Sequence, residues 1–124
     1  MFSGLNHIEI VVEDTKGMAD YLVSIGFALL WRRPSGTVML RFPGDGDQPY
    51  VDLKPNKDKN GNEVDKLGYS VIGLRCHNFD QTYEALKAQG VRFQNEPHKG
   101  DTSGNRVVTM LNPEGGPVQI IERL

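Results

Sequence analysis

The sequence is short of cysteine. Its one cysteine, Cys76, can form no internal disulfide, and with only three scattered histidines the chain cannot supply the four clustered ligands of a closed Cys/His zinc site. Any metal would have to be held mainly by His and oxygen. Long apolar runs are missing too: the stretch from Ile25 to Trp31, broken by Gly26, falls far below the ~20 residues that span a bilayer. No membrane is expected as a partner. The segment Met1 to Asn6 lacks the basic patch and apolar run of a signal peptide, and together with the unpaired thiol this points to a reducing, cytoplasmic setting. Nor is there an excess of charge of one sign. Fourteen Lys+Arg against sixteen Asp+Glu leave a formal charge of −2, too balanced to draw nucleic acid through bulk electrostatics.

What is present suits one globular domain spanning residues 1–124, since 38% hydrophobic and 24% charged residues lie near globular averages. His7 to Val12 reads as a strand, with β-branched residues alternating against polar His7 and Glu9. Asp14 or Thr15 can cap a helix whose apolar positions Met18, Tyr21, Leu22 and Ile25 follow helical spacing, and Gly26 ends it. Strand-like runs follow at Phe27 to Arg32, Thr37 to Phe42 and Tyr50 to Leu53, separated by the turn chemistry of Pro34-Ser35-Gly36 and Gly44-Asp45-Gly46-Asp47. The grammar is βαβββ over about residues 5–54. Residues 55–67 are polar and read as a solvated linker, after which the grammar restarts over about 68–122 with a strand at Tyr69 to Cys76 and a helix at Phe79 to Lys87.

Laid together without a gap, the halves match at an offset of 64 (71 − 7): His7 falls on Val71, Ile8 on Ile72, Ile10 on Leu74, Val12 on Cys76, Leu22 on Leu86 and Gly26 on Gly90. Arg106 to Leu111 echoes Gly36 to Arg41, and Val118 to Ile121 echoes Val51 to Lys54. Such a repeat is an architectural signal, because each unit's apolar face needs a partner. Strand alternation then collects His7, Glu9, Tyr50, Asp52, Lys54, Arg75 and Gln119 opposite a core set of Ile8, Ile10, Val51, Leu53, Ile72, Leu74, Val118 and Ile120. The first set is a mixed-charge surface of the kind that orients a small polar molecule, with Arg75 suited to a carboxylate or phosphate. Lys54 is expected to face solvent and Cys76 to be a buried, inert thiol. Trp31 and Phe42 are expected in the core, with Trp31 kept as a candidate for stacking on a ligand.

The opening Leu5-Asn6-His7-Ile8-Glu9-Ile10-Val11-Val12-Glu13-Asp14, Gly26-Phe27 after the helix, and the closing Asn112-Pro113-Glu114-Gly115-Gly116-Pro117-Val118-Gln119-Ile120 resemble the vicinal oxygen chelate pattern of glyoxalases, bleomycin-resistance proteins and extradiol dioxygenases. The resemblance covers essentially the whole chain. It implies an α+β fold in which two tandem βαβββ units form a curved mixed sheet with a concave cleft, and small members of the family commonly form homodimers. It also implies a divalent ion (Ni, Zn, Fe or Mn) held at positions that fall here on His7, Asp52, Val71 and Gln119. His7 and Asp52 are good ligands, Gln119 offers an uncharged oxygen, and Val71 offers nothing. A His7, Glu9, Asp52 cluster would compensate, although Glu9 is expected to pair with Arg75 instead.

Two functions follow from the resemblance. The favoured one is a metal-free protein that binds a small polar or anionic organic molecule, as bleomycin-resistance members do, with Tyr50, Arg75, Gln119 and Trp31 as ligand contacts and no cofactor. The alternative is a divalent-metal-dependent lyase, isomerase (an epimerase) or dioxygenase using His7 and Asp52, with Glu9 as the carboxylate that moves a proton.

Overall fold

The alternating residues of the opening segment form a parallel pair with a later strand, and the rest of each half is built around such a pair. The computed structural model describes residues 1–100 and 105–122. These hold two helices and nine strands in mixed parallel and antiparallel pairing, an α+β chain that divides into two units, His7–Ser70, and Met1–Asn6 together with Val71–Leu124. No helix of the described residues is long and apolar enough to cross a membrane.

The N-terminal unit runs β1 (Gly4–Val12), α1 (Thr15–Ser24), β2 (Ala28–Arg32), β3 (Val38–Arg41) and β4 (Tyr50–Pro55). Asp14 is the helix cap: its carboxylate accepts the Gly17 N–H at 3.0 Å, satisfying one of the free amides of the first turn. Gly26 ends the helix at φ +113°, a left-handed conformation that a side chain would strain. β4 lies parallel to β1, β3 antiparallel to β4, and β2 antiparallel to β3. One face of these strands packs Val12, Val38, Leu40, Val51 and Leu53 with Ala19 of the helix, and Ile8, Ile10, Leu22, Phe27 and Phe42 extend that core. Phe42 is therefore the core residue the sequence suggests, its ring 4.9 Å from that of Phe27.

The C-terminal unit repeats the plan with β5 (Gly68–Cys76), α2 (Phe79–Ala88), β6 (Arg92–Phe93), β7 (His98–Lys99), β8 (Arg106–Leu111) and β9 (Pro117–Glu122). β9 is parallel to β5 and β8 antiparallel to β9, as β4 and β3 are to their neighbours. Its core holds Cys76, Phe79, Leu86, Val108 and Ile120, so the lone thiol is fully buried, and burial pushes its pKa up. The expected single second strand is instead two short pieces, β6 and β7, both paired with β8. Pro97 has no N–H to give the ladder, and the Asn95 side chain accepts the Thr109 N–H at 2.9 Å where a strand carbonyl would otherwise do so.

The polar segment between the repeats bonds to itself. Asp58 accepts the N–H groups of Asn60 and Asn62, both at 2.9 Å, and buried Asn56 receives the amides of Val64 and Asp65. Lys54 is partly exposed and pairs with Asp65 at 3.0 Å.

Candidate functional site

Strand register builds the site. In the N-terminal unit, Glu9 of β1 stands opposite Asp52 of β4, Asp52 opposite Met39 of β3, and Met39 opposite Trp31 of β2. Residues directly opposite across a ladder point to the same face, so these four form one row on the side away from the helix. The adjacent row, two residues along each strand, carries His7, Tyr50 and Arg41. Trp31 reaches this face because of a bulge. The pairing shifts between Leu29 and Trp31, inserting Leu30. In an unbroken ladder, with Leu29 opposite core residue Leu40, Trp31 would fall opposite core residue Val38. The core placement expected for Trp31 is thus corrected: the extra residue turns it over, and Arg33 with it. The Arg33 guanidinium lies 4.5 Å from the centre of the Trp31 ring.

Asp52 is the electrostatic centre of this face. Burial pushes its carboxyl up to about 7, the Glu9 carboxylate beside it adds to the rise, and Arg33 opposes it. Its Oδ1 is buried without a hydrogen-bond partner, and so is Nε of Arg33. An orphaned buried group costs about 1–3 kcal/mol. His7 is 4% exposed, while Glu9, Tyr50 and Trp31 are partly buried. Such a face holds a proton near neutral pH and presents a cation, an aromatic ring and a carboxyl to anything that settles on it.

The C-terminal unit carries the same row with other chemistry. Gly73 stands opposite Gln119, and Gln119 opposite Thr109, whose amide is taken by Asn95. Gln119 therefore occupies the register position of Asp52, but its row has no ionisable side chain. Arg75 lies over Gly4, where an added Cβ would come within 3.2 Å of its Nε.

The family's metal site can be tested on these residues. Val71 is buried and has no donor, Gln119 sits in a neutral row, and among the described residues no group of three or more His, Cys, Asp and Glu is gathered to hold an ion. The compensating His7, Glu9, Asp52 cluster is included in that statement. The residues present do not fit the four-donor site.

Of the residues singled out from sequence, His7, Glu9, Tyr50, Asp52 and Trp31 share one face of the N-terminal unit, while Arg75 and Gln119 belong to the other unit. Arg33, Met39 and Arg41 were not foreseen. Arg41 is readable from alternation, whereas Arg33 becomes visible only once the bulge is known.

With this geometry in hand, comparison with other proteins places the chain. The sequence profile of the Glyoxalase/Bleomycin resistance protein/Dioxygenase superfamily matches residues 4–120, and the chain belongs to that superfamily. A search of curated proteins returned no match. Among solved structures, the chain is similar to methylmalonyl-CoA epimerase from Mycobacterium tuberculosis, with a TM-score of 0.75 at 21% identity over 99% of this chain and 89% of that one. It is also similar to a methylmalonyl-CoA epimerase in complex with methylmalonyl-CoA and NH4+, with a TM-score of 0.73 at 21% identity over 98% of this chain and 95% of that one. A Streptomyces coelicolor methylmalonyl-CoA epimerase variant in complex with 2-nitronate-propionyl-CoA gives a TM-score of 0.73 at 21% identity, covering 98% of each chain. At this identity the likeness carries the fold.

Proposed function

We propose that this chain binds a small polar, anionic organic molecule on the charged face of its N-terminal unit, without a metal ion, as a cytoplasmic homodimer. The observation that carries the reading is Asp52: a carboxyl whose Oδ1 is buried and unpartnered is a standing cost that a ligand's hydrogen bond would relieve. Trp31 and Tyr50 supply flat surface beside it, and burial, with a smaller contribution from the Glu9 carboxylate, pushes the Asp52 pKa up to about 7. Chelator-treated protein titrated with a panel of small organic acids and acyl-CoA esters, followed by heteronuclear NMR, tests this. Shifts confined to Trp31, Tyr50 and Asp52 without added metal are expected. Binding that appears only after nickel, zinc, iron or manganese is restored would overturn it. A single monomeric species in sedimentation would remove the homodimer.

A second reading is favoured by one specific observation. A carboxyl at about 7 is matched to proton transfer at neutral pH, and the epimerases similar in fold act on a substrate whose acidic carbon lies beside a thioester. In this reading Asp52, as carboxylate, removes that proton, and Glu9 holds Asp52 at a useful basicity. Methylmalonyl-CoA incubated in D2O with the protein would exchange its α-proton, and Asp52→Asn would abolish the exchange. No exchange by the unaltered chain would exclude the reading.

A further inference from the structure

The Arg33 guanidinium stands out among the groups on this face. It stacks on Trp31 at 4.5 Å, acts electrostatically on Asp52, and leaves its Nε buried with no acceptor. Most side-chain guanidinium groups in such surroundings are satisfied by a carboxylate or carbonyl, because leaving a donor dry is costly. Asp52, the carboxyl on which it acts, likewise has its Oδ1 buried and unpartnered. A donor and an acceptor, both buried, are therefore left unsatisfied on the same face. The bulge at Leu30 is what brings Arg33 there, and bulges commonly serve to re-aim a side chain at a site.

We propose that Arg33 is the specificity-determining residue of this face, taking the carboxylate of a small organic acid while Asp52 engages a hydroxyl or N–H on the carbon next to it. The inference rests on the binding reading above and names the ligand class for it. A guanidinium presents Nε–H and one Nη–H side by side, the fork that matches a carboxylate's two oxygens, which a lysine ammonium cannot reproduce. Trp31 keeps the plane of that fork fixed, so the guanidinium can turn within its stacking plane to offer Nε to the ligand without losing the ring. A 2-hydroxy acid satisfies both orphaned atoms at once. Its amide keeps the shape and the hydroxyl but loses the charge that Arg33 reads.

Lactate and 2-hydroxyisobutyrate, each compared with its amide, are the probes, titrated into the full chain by heteronuclear NMR. The acids are expected to shift the Trp31 indole and Arg33 Nε signals while the amides bind at least about tenfold more weakly. Arg33→Lys, which keeps the positive charge, is expected to weaken acid binding by about tenfold or more and to erase the preference over the amide, with signals of the C-terminal unit unchanged as the check on folding. Trp31→Leu should lose part of the same preference. If the acids bind this face as well in Arg33→Lys as in the unaltered chain, the Arg33 assignment falls and the binding reading stands. If neither acid nor any member of the wider panel disturbs the face, both fall.

Discussion

The two units of this chain have one topology and two chemistries. In the N-terminal unit the central row across the strands reads Glu9, Asp52, Met39, Trp31, and in the C-terminal unit the matching positions read Gly73, Gln119, Thr109, with Asn95 bonded to Thr109. Both helices stop at a glycine of positive φ, Gly26 at +113° and Gly90 at +91°. The scaffold has been kept while the face has diverged: one row holds a carboxyl pair with an orphaned oxygen, and the other holds Gln119 and a Thr109 whose backbone amide is taken by Asn95. Function on this scaffold is argued from the row and not from the fold, which the superfamily shares across distinct activities.

The comparison can be broken by making the rows alike. Asp52→Asn puts in the N-terminal row the kind of neutral amide that Gln119 supplies in the other, and should have the largest effect on stability. The folded-state pKa of Asp52 is raised from 3.8 to about 7. Its contribution is therefore fully present below pH 3.8 and is lost as pH rises through 7, because only the unfolded chain ionises freely in that window. The stability of Asp52→Asn relative to the unaltered chain should thus improve between pH 4 and pH 8 by on the order of 3 kcal/mol, read from urea unfolding at the two pH values. The reverse exchange, Gln119→Glu, places a carboxylate in a row with no cation. It should cost about 2 kcal/mol at pH 8 and much less at pH 4, by the same measurement. Asn95→Ala removes the acceptor of the Thr109 amide and should cost about 1 kcal/mol at either pH. The finest adjustment is Glu9→Gln. Without its charge the Asp52 pKa should fall, yet stay above 3.8, since burial is the larger cause of the rise.

Much of the architecture was legible from the residues because each rule that writes it is local. Alternation placed β1, β4, β5 and β9, glycine closed both helices, and the echo of Val51 to Lys54 in Val118 to Ile121 put Gln119 in register with Asp52. Local rules also mark where legibility stopped. A bulge adds one residue and reverses every side chain beyond it, so Trp31 read as core and Arg33 did not read at all. The split of β6 and β7 depends on Asn95 taking the role of a strand carbonyl, an exchange that alternation does not encode. Among the site residues, sequence could group His7, Glu9 and Asp52 by face. It could not show that Asp52 Oδ1 and Arg33 Nε would both be buried and unpartnered, because that depends on packing across four strands.

The central claim is that Asp52 holds a proton close to neutral pH on the charged row of the N-terminal unit. A 13C NMR titration of the Asp52 carboxyl carbon in the unaltered chain tests it most directly. The expected midpoint is about 7. A midpoint near the ordinary aspartate value of 3.8 would contradict the account, because Asp52 would then be a solvated carboxylate and the difference between the two rows would carry no proton chemistry.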